Sequence, residues 1–90
     1  EKIISEIAKK YSTTPEEIKG KKRSKDVAMA RHVAIYTIRN ATDMSLKNIG
    51  KIFDRDHTTM MSSLDVVGQA MEQDAGFEHE INSLIKEFKI

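Results

Sequence analysis

Apolar residues recur along the chain at the three- and four-residue spacings of amphipathic helices. Ile3, Ile4 and Ile7 gather on one face of a predicted first helix, with charged residues on the other face. The segment 14–17 then supplies an N-cap threonine, a proline at the first helical position and a capping-box glutamate. A short second helix is therefore predicted, and it ends at Gly20.

The pattern predicts that a longer, central helix begins at Asp26. Its apolar side is formed by Val27, Ala30, Ala34, Ile35, Ile38 and Ala41. Arg31 and Arg39 lie away from this side. Their position predicts that both arginines face outward.

Three more helices follow, the first two separated by a very short polar turn. The segment 45–53 is typical of a short capped helix, and only Asp54 and Arg55 separate it from Asp56, a good N-cap for the next helix. That helix carries apolar residues at Met60, Leu64, Val67 and Met71, with Met61 at the edge of the core. A last helix, after Gly76, carries Phe77, Ile81, Leu84, Ile85 and Phe88. The predicted fold class is all-α: six helices that include a helix-turn-helix at about 45–74, preceded by a basic loop at 19–25.

Length and composition limit what the chain can be. Ninety residues with 39% apolar content fit one domain, residues 1–90. Cysteine is absent, which excludes disulfides and thiolate zinc sites. No apolar run approaches the roughly 20 residues of a membrane helix, so we expect a soluble intracellular protein. Because the chain begins with Glu1, we also expect it to be part of a longer protein.

Charge is unevenly distributed although the net charge is only +1. Residues 1–64 hold 13 Lys and Arg against 8 Asp and Glu, whereas residues 65–90 hold 2 against 6. The densest run, residues 19–25, has five cations and no acid. Such a run is either a solvated surface loop or a site for a polyanion.

The segment 54–59 does not have the arrangement of residues that a catalytic site or a calcium site requires. A nucleophile, a base and an orienting group are usually brought together from distant parts of a chain, not from adjacent residues. As a calcium loop, the segment has Thr59 where glycine is required and Asp65 where a bidentate glutamate is required. The histidines have no zinc-motif context, and no phosphate loop of the Walker type is present. We therefore expect neither an enzyme nor a bound metal or nucleotide.

DNA binding is the more coherent hypothesis. A short helix, a tight polar turn and a longer helix with a polar first turn describe a helix-turn-helix, whose second helix enters the major groove. His57 remains ambiguous, because its position around the helix is close to that of Leu64. It contacts DNA only if the first turn projects beyond the core, and otherwise it is a histidine at the surface or the core edge.

Several short motifs carry a family resemblance that spans roughly residues 3–88. They are the basic run 22–25, Arg31 in the following helix, Ser45-Leu46 with Ile49-Gly50, and the string Arg55-Asp56-His57-Thr58-Thr59. Together they resemble the C-terminal DNA-binding domain of the bacterial replication initiator DnaA. Members of that family often have proline and glutamine in place of Ala30 and His32, and a glycine pair where Asp54 stands.

The resemblance implies a role for each matching residue. Arg23 would enter the minor groove, and Asp56, His57 and Thr58 would face base edges in the major groove. Phosphates would be held by Arg31, Arg39, Leu46, Lys47, Arg55 and Thr59, and the DNA-binding set is completed by Lys25 and His32. General chemistry agrees, because arginine suits a narrow A·T-rich minor groove and a carboxylate can accept from a cytosine amino group.

The resemblance also implies partners and a setting. The domain would bind short asymmetric boxes of double-stranded DNA at the replication origin, as a monomer on each box, in the cytoplasm and associated with the nucleoid. ATPase and oligomerising domains would lie outside these residues, and no membrane is involved. Two alternatives stay open: a helical protein-interaction module whose basic loop binds an acidic partner, and the helix-turn-helix of a transcription regulator, which would require a dimer and a palindromic site.

Overall fold

A computed structural model describes residues 2–21 and 24–89, and this part of the chain folds into six helices. They are α1 (Lys2–Lys10), α2 (Pro15–Lys19), α3 (Lys25–Ala41), α4 (Leu46–Phe53), α5 (His57–Gln73) and α6 (Ala75–Phe88). The predicted all-α class is confirmed. Each of these helices is too short or too polar to cross a lipid bilayer.

Helix α3 is the centre of the fold, because it packs against each of the other five helices. All six of the apolar residues predicted for its inner side are buried. Its buried surface is wider than an amphipathic stripe, since Val33 and Thr37 are buried as well. Arg31 is also buried, at 8% exposure, so the prediction that it faces outward is wrong. A helix with neighbours on most sides has little outward face left.

Side-chain caps define where the helices begin. The Thr14 hydroxyl accepts from the amide of Glu17 at 3.1 Å, and Pro15 is the first helical residue, as predicted. Helix α6 begins earlier than predicted, because Asp74 accepts from the amide of Phe77 at 3.1 Å and caps the helix there. Gly76 consequently lies inside the first turn of α6 and does not precede the helix.

Helix α5 contributes Met60 and Val67 to the core, both with 0% exposure. Met61 was predicted at the core edge, but it is 51% exposed. Successive residues point about 100° apart around a helix, so a residue next to a fully buried one can face away from the core. The packing of Met60 therefore gives no information about Met61.

Candidate nucleic-acid interface

The turn between α4 and α5 is held by backbone hydrogen bonds. The amide of Asp54 donates to the carbonyl of Lys51 at 3.4 Å, and the amide of Arg55 donates to the carbonyl of Gly50 at 2.9 Å. This pair is a Schellman motif, in which one residue adopts the left-handed conformation. Asp54 is that residue, with φ 54° and ψ 49°. Helix α4 thus ends abruptly, and Asp54, Arg55 and Asp56 alone separate it from α5.

Gly50 lets the two sides of this turn approach each other. A Cβ atom at Gly50 would lie 2.5 Å from the backbone oxygen of Arg55, closer than real side chains tolerate. Gly50 is buried in α4, and its own carbonyl accepts from the amide of Arg55. The contact sets how closely the start of α5 sits against α4.

Asp56 caps α5, as predicted. Its Oδ1 accepts from the amide of Thr59 at 2.9 Å. Hydrogen bonds from the backbone and side chain of Thr59 are the main reason that the pKa of Asp56 lies below its ordinary value. The carboxylate is fully exposed and stays ionised, so it remains an acceptor for a group outside the protein.

The first turn of α5 projects from the core. His57, Thr58 and Thr59 are all exposed, whereas Met60, the next residue, is fully buried. His57 is therefore not a core-edge residue, although its position around the helix is close to that of Leu64. Asp56, His57, Thr58 and Thr59 form one exposed tip, to which we refer as the α5 tip.

Arg55 lies beside the α5 tip and is half-buried. Its Nη1 donates to the carbonyl of Phe53 at 2.7 Å, and its Nη2 donates to the carbonyl of Gly20 at 2.7 Å. The second bond joins residues 35 positions apart. It brings the start of the basic loop against the helix-turn-helix.

Arg31 makes hydrogen bonds within the protein that the sequence did not indicate. Its Nε donates to the carbonyl of Ile18 at 2.6 Å and its Nη2 to the carbonyl of Glu17 at 3.1 Å. Carbonyls in the last turn of a helix lack N–H partners within that helix. Arg31 supplies a donor to the carbonyl of Ile18 and a second donor to that of Glu17, which also accepts from the amide of Gly20. Burial and the nearby charge of Arg55 lower the pKa of Arg31.

His32, the residue after Arg31, connects α3 to α5. Its Nδ1 and the Oγ of Ser63 are 2.8 Å apart and share a hydrogen bond. Ser63 is buried at 1% exposure, and His32 is half-buried. Burial, followed by the charges of Arg31 and Arg55, lowers the pKa of His32 below its ordinary value. The imidazole is consequently held in its neutral form at neutral pH.

This depressed pKa predicts a loss of stability in mild acid. The unfolded chain protonates His32 near its ordinary pKa of about 6.5, whereas the folded chain resists protonation until a lower pH. Stability should therefore be level above that ordinary value and fall as the pH drops through the interval down to the folded pKa. Melting temperatures at pH 7.5 and 5.5 measure the effect, and His32→Gln should reduce the difference. His79→Gln, at an exposed histidine of α6, is the matched control; an equal reduction in both variants would contradict the assignment.

The remaining predicted residues that the structure describes lie on two elements, α3 and α4. Lys25 is exposed at the start of α3, and Arg39 is exposed near its end, where its Nη1 donates to the carbonyl of Met44 at 3.2 Å. Leu46 and Lys47 form the start of α4, half-buried and exposed respectively. Arg23 lies outside the described residues. The structure thus places an exposed cation or a helix start on each of these elements.

Some residues that shape this surface were not singled out as functional from the sequence. Ser63 holds His32, Gly50 accommodates the turn, and Gly20 provides the carbonyl for Arg55. A glycine inside the amphipathic pattern of α4 was a signal of close approach that could have been used. No sequence signal indicated which carbonyls would meet a guanidinium.

Comparison with known proteins gives consistent matches. The family model described as "Bacterial dnaA protein helix-turn-helix" matches residues 1–67. The chain is similar to the chromosomal replication initiator protein DnaA of Deinococcus radiodurans, with 38% identity over 82 residues, 91% of this chain and 18% of the relative. The corresponding protein of Streptococcus thermophilus is 39% identical over 90 residues, 99% of this chain and 20% of the relative. The chain therefore spans about a fifth of the length of the curated relatives it matches.

Proposed function

Because the chain belongs to the bacterial DnaA helix-turn-helix family, we propose that it recognises short asymmetric boxes of double-stranded DNA at a bacterial replication origin. The observation that carries this proposal is the α5 tip, four exposed polar residues at the start of the second helix of a helix-turn-helix. This is the part of such a motif that meets base edges. The family is a helix-turn-helix family and not an enzyme family, as the sequence predicts.

The α5 tip offers three kinds of contact to a major groove. The ionised Asp56 accepts from a cytosine amino group, the His57 ring donates or accepts, and the Thr58 methyl packs against a thymine methyl. Each side chain is exposed, so none gives up packing in the core to reach a base. Asymmetric contacts of this kind read an asymmetric box, and one copy of the domain suffices for each box.

In this proposal, residues of α3 and α4 bind phosphates together with Thr59. Lys25, Arg39 and Lys47 are exposed cations, and the first amides of α4, at Leu46 and Lys47, lie where a helix has unpaired N–H groups. Thr59, the last residue of the α5 tip, adds a hydroxyl. Arg31, Arg55 and His32 supply positive charge or hydrogen-bonding groups behind this surface, and in addition bond to groups of the protein itself.

In this proposal the basic loop binds the adjacent minor groove. Arg23 enters a narrow A·T-rich stretch, where negative potential is concentrated. Support comes from the five cations of residues 19–25 and from the bond between Arg55 and Gly20, which places the described start of that loop against the turn. The acidic residues after 64 lie on α5, on α6 and at Asp74 between them, later along the chain than the proposed contacts.

The chain would act within a longer initiator that also carries ATPase and oligomerising domains, in the cytoplasm and on the nucleoid. The relatives from Deinococcus radiodurans and Streptococcus thermophilus are about five times as long as the matched segment. In this arrangement the domain brings the initiator to its boxes, and other domains hydrolyse the nucleotide.

Substitution of the α5 tip tests the proposal. The wild-type chain should prefer a box duplex to a scrambled duplex, and His57→Ala and Thr58→Ala should each remove about 1–3 kcal/mol of that preference. Nonspecific binding and thermal stability should change little, because both side chains are exposed. Competition titrations between box and scrambled duplexes provide the measurement, with Gln69→Ala, at an exposed position farther along α5, as the control.

Two results would contradict the proposal. A wild-type chain that binds box and scrambled duplexes equally would be a basic domain without sequence preference. An unchanged box-to-scrambled ratio in both tip variants would mean that this helix end does not read bases.

A further inference from the structure

The guanidinium of Arg55 occupies two carbonyls of the protein itself. One belongs to Phe53, at the end of α4, and the other to Gly20, at the end of α2; both distances are 2.7 Å. A guanidinium is a rigid, planar fork with five N–H donors, so it can hold two acceptors in a fixed relation and keep three donors for other groups. A lysine ammonium carries the same charge on a flexible stem and does not impose that relation.

Gly20 is the point at which the chain leaves α2 for the basic loop. Its amide donates to the carbonyl of Glu17 at 3.2 Å, and its carbonyl accepts from Arg55. The two carbonyls immediately upstream, those of Glu17 and Ile18, accept from Arg31 of α3. Three carbonyls within four residues are therefore held by two arginines from other elements. The chain enters the basic loop from an anchored position.

The closeness of Arg31 and Arg55 has an electrostatic consequence. The charge of Arg55 is one of the causes that lower the pKa of Arg31, so the two guanidinium groups repel each other. The carbonyl hydrogen bonds offset that repulsion, since bonds to charged groups are among the stronger ones in proteins. Phosphate attraction alone would not require the arginines to bind backbone carbonyls of α2.

We infer that Arg55 is a positioning residue that fixes the spacing between the start of the basic loop and the α5 tip. The inference rests on the proposed function, in which the basic loop and the α5 tip bind neighbouring grooves of one duplex. A fixed spacing means that an A·T-rich flank is recognised only at one distance from the bases read by α5. Arg55 thereby contributes to specificity without reading a base itself.

A shifted-flank experiment with Arg55→Lys tests this role. Two duplexes carry the same box and the same A·T flank, but in the second duplex the flank is displaced by one base pair. We expect the wild-type chain to lose about tenfold in affinity on the displaced duplex, comparable to one mismatched base pair. Arg55→Lys should lose less than about twofold, because the loop is no longer held at one spacing. The salt dependence should be the same for both proteins, since the cation is retained.

Arg39→Lys is the matched control. Arg39 is exposed, and its described hydrogen bond goes to Met44, only five residues away, so this substitution should leave the penalty for the displaced flank as in the wild type. A general loss of stability in Arg55→Lys would weaken binding to both duplexes equally and would not change their ratio. An Arg55→Lys variant with the full wild-type penalty would overturn the inference.

Hydrogen exchange provides a readout that needs no DNA. In Arg55→Lys, the amide of Gly20, which donates to the carbonyl of Glu17, should exchange about tenfold faster, whereas amides of the α3 core should be unchanged. Unchanged exchange at the Gly20 amide would overturn the inference even if DNA binding weakened. A wild-type chain without box preference would instead overturn the proposed function, and the exchange rates would then decide separately whether Arg55 anchors the loop.

Discussion

Replacing Gly50 by alanine should lower the free energy of unfolding by about 2 kcal/mol, although alanine is the better helix former. The added Cβ would meet the backbone oxygen of Arg55 at 2.5 Å, and a backbone atom cannot move aside like the end of a flexible side chain. The same backbone segment is held by the bond from the Arg55 amide to the Gly50 carbonyl. The clash therefore displaces the whole turn, and the α5 tip with it.

Gly68→Ala is the control for this effect. Gly68 lies inside α5, and nothing lies within 4 Å of the position its Cβ would take. Alanine there should stabilise the protein by about 0.5–1 kcal/mol through helix propensity alone. Denaturant unfolding of both variants gives the comparison. Equal changes in the two variants would mean that the turn is not closely packed.

Arg31→Ala should destabilise the protein by about 2–3 kcal/mol, because it leaves the buried carbonyl of Ile18, in α2, without its charged donor. The bond from Nε to the carbonyl of Ile18, at 2.6 Å, is buried, and the side chain is only 8% exposed. Any loss of DNA binding in this variant would therefore accompany a loss of structure. Thermal and denaturant unfolding measure the first effect without DNA.

Arg39→Ala provides the contrast, because Arg39 is exposed and the family resemblance implies the same phosphate role for it. Its removal should change stability by less than about 0.5 kcal/mol. Binding should weaken on box and scrambled duplexes alike, and the log–log salt slope should become shallower by about 0.9. If Arg39→Ala unfolds as readily as Arg31→Ala, the distinction between the two arginines fails.

The helices and most of their ends could be predicted from local patterns. Thr14, Pro15 and Asp56 act where the sequence indicates, because caps depend on neighbours three residues away. The start of α6 differs from the prediction, because Asp74, two residues before Gly76, supplies the cap. At each of these helix starts, a capping side chain near in sequence decides where the helix begins.

In the candidate site, features set by neighbouring residues could be predicted, and features set by residues distant in sequence could not. Exposure of the α5 tip follows from a short turn and a polar first helical turn, both visible in the sequence. The burial of Arg31 does not, because the carbonyls it binds belong to residues 13 and 14 positions away, which helical periodicity cannot connect to it. Periodicity assigns a charged residue to the outside by default. Tertiary contacts decided otherwise.

The separation of the α5 tip from the core has a consequence for how such a domain can acquire new targets. His57 and Thr58 are exposed and occupy the first two positions of α5, whereas Asp56 also caps the helix through Thr59. Substituting other residues at positions 57 and 58 alters the chemical groups that face a duplex, while the turn, the cap and the buried Met60 stay as they are. A library randomised at these two positions would therefore sample target sequences on an unchanged scaffold, whereas randomising position 56 would sample helix stability at the same time.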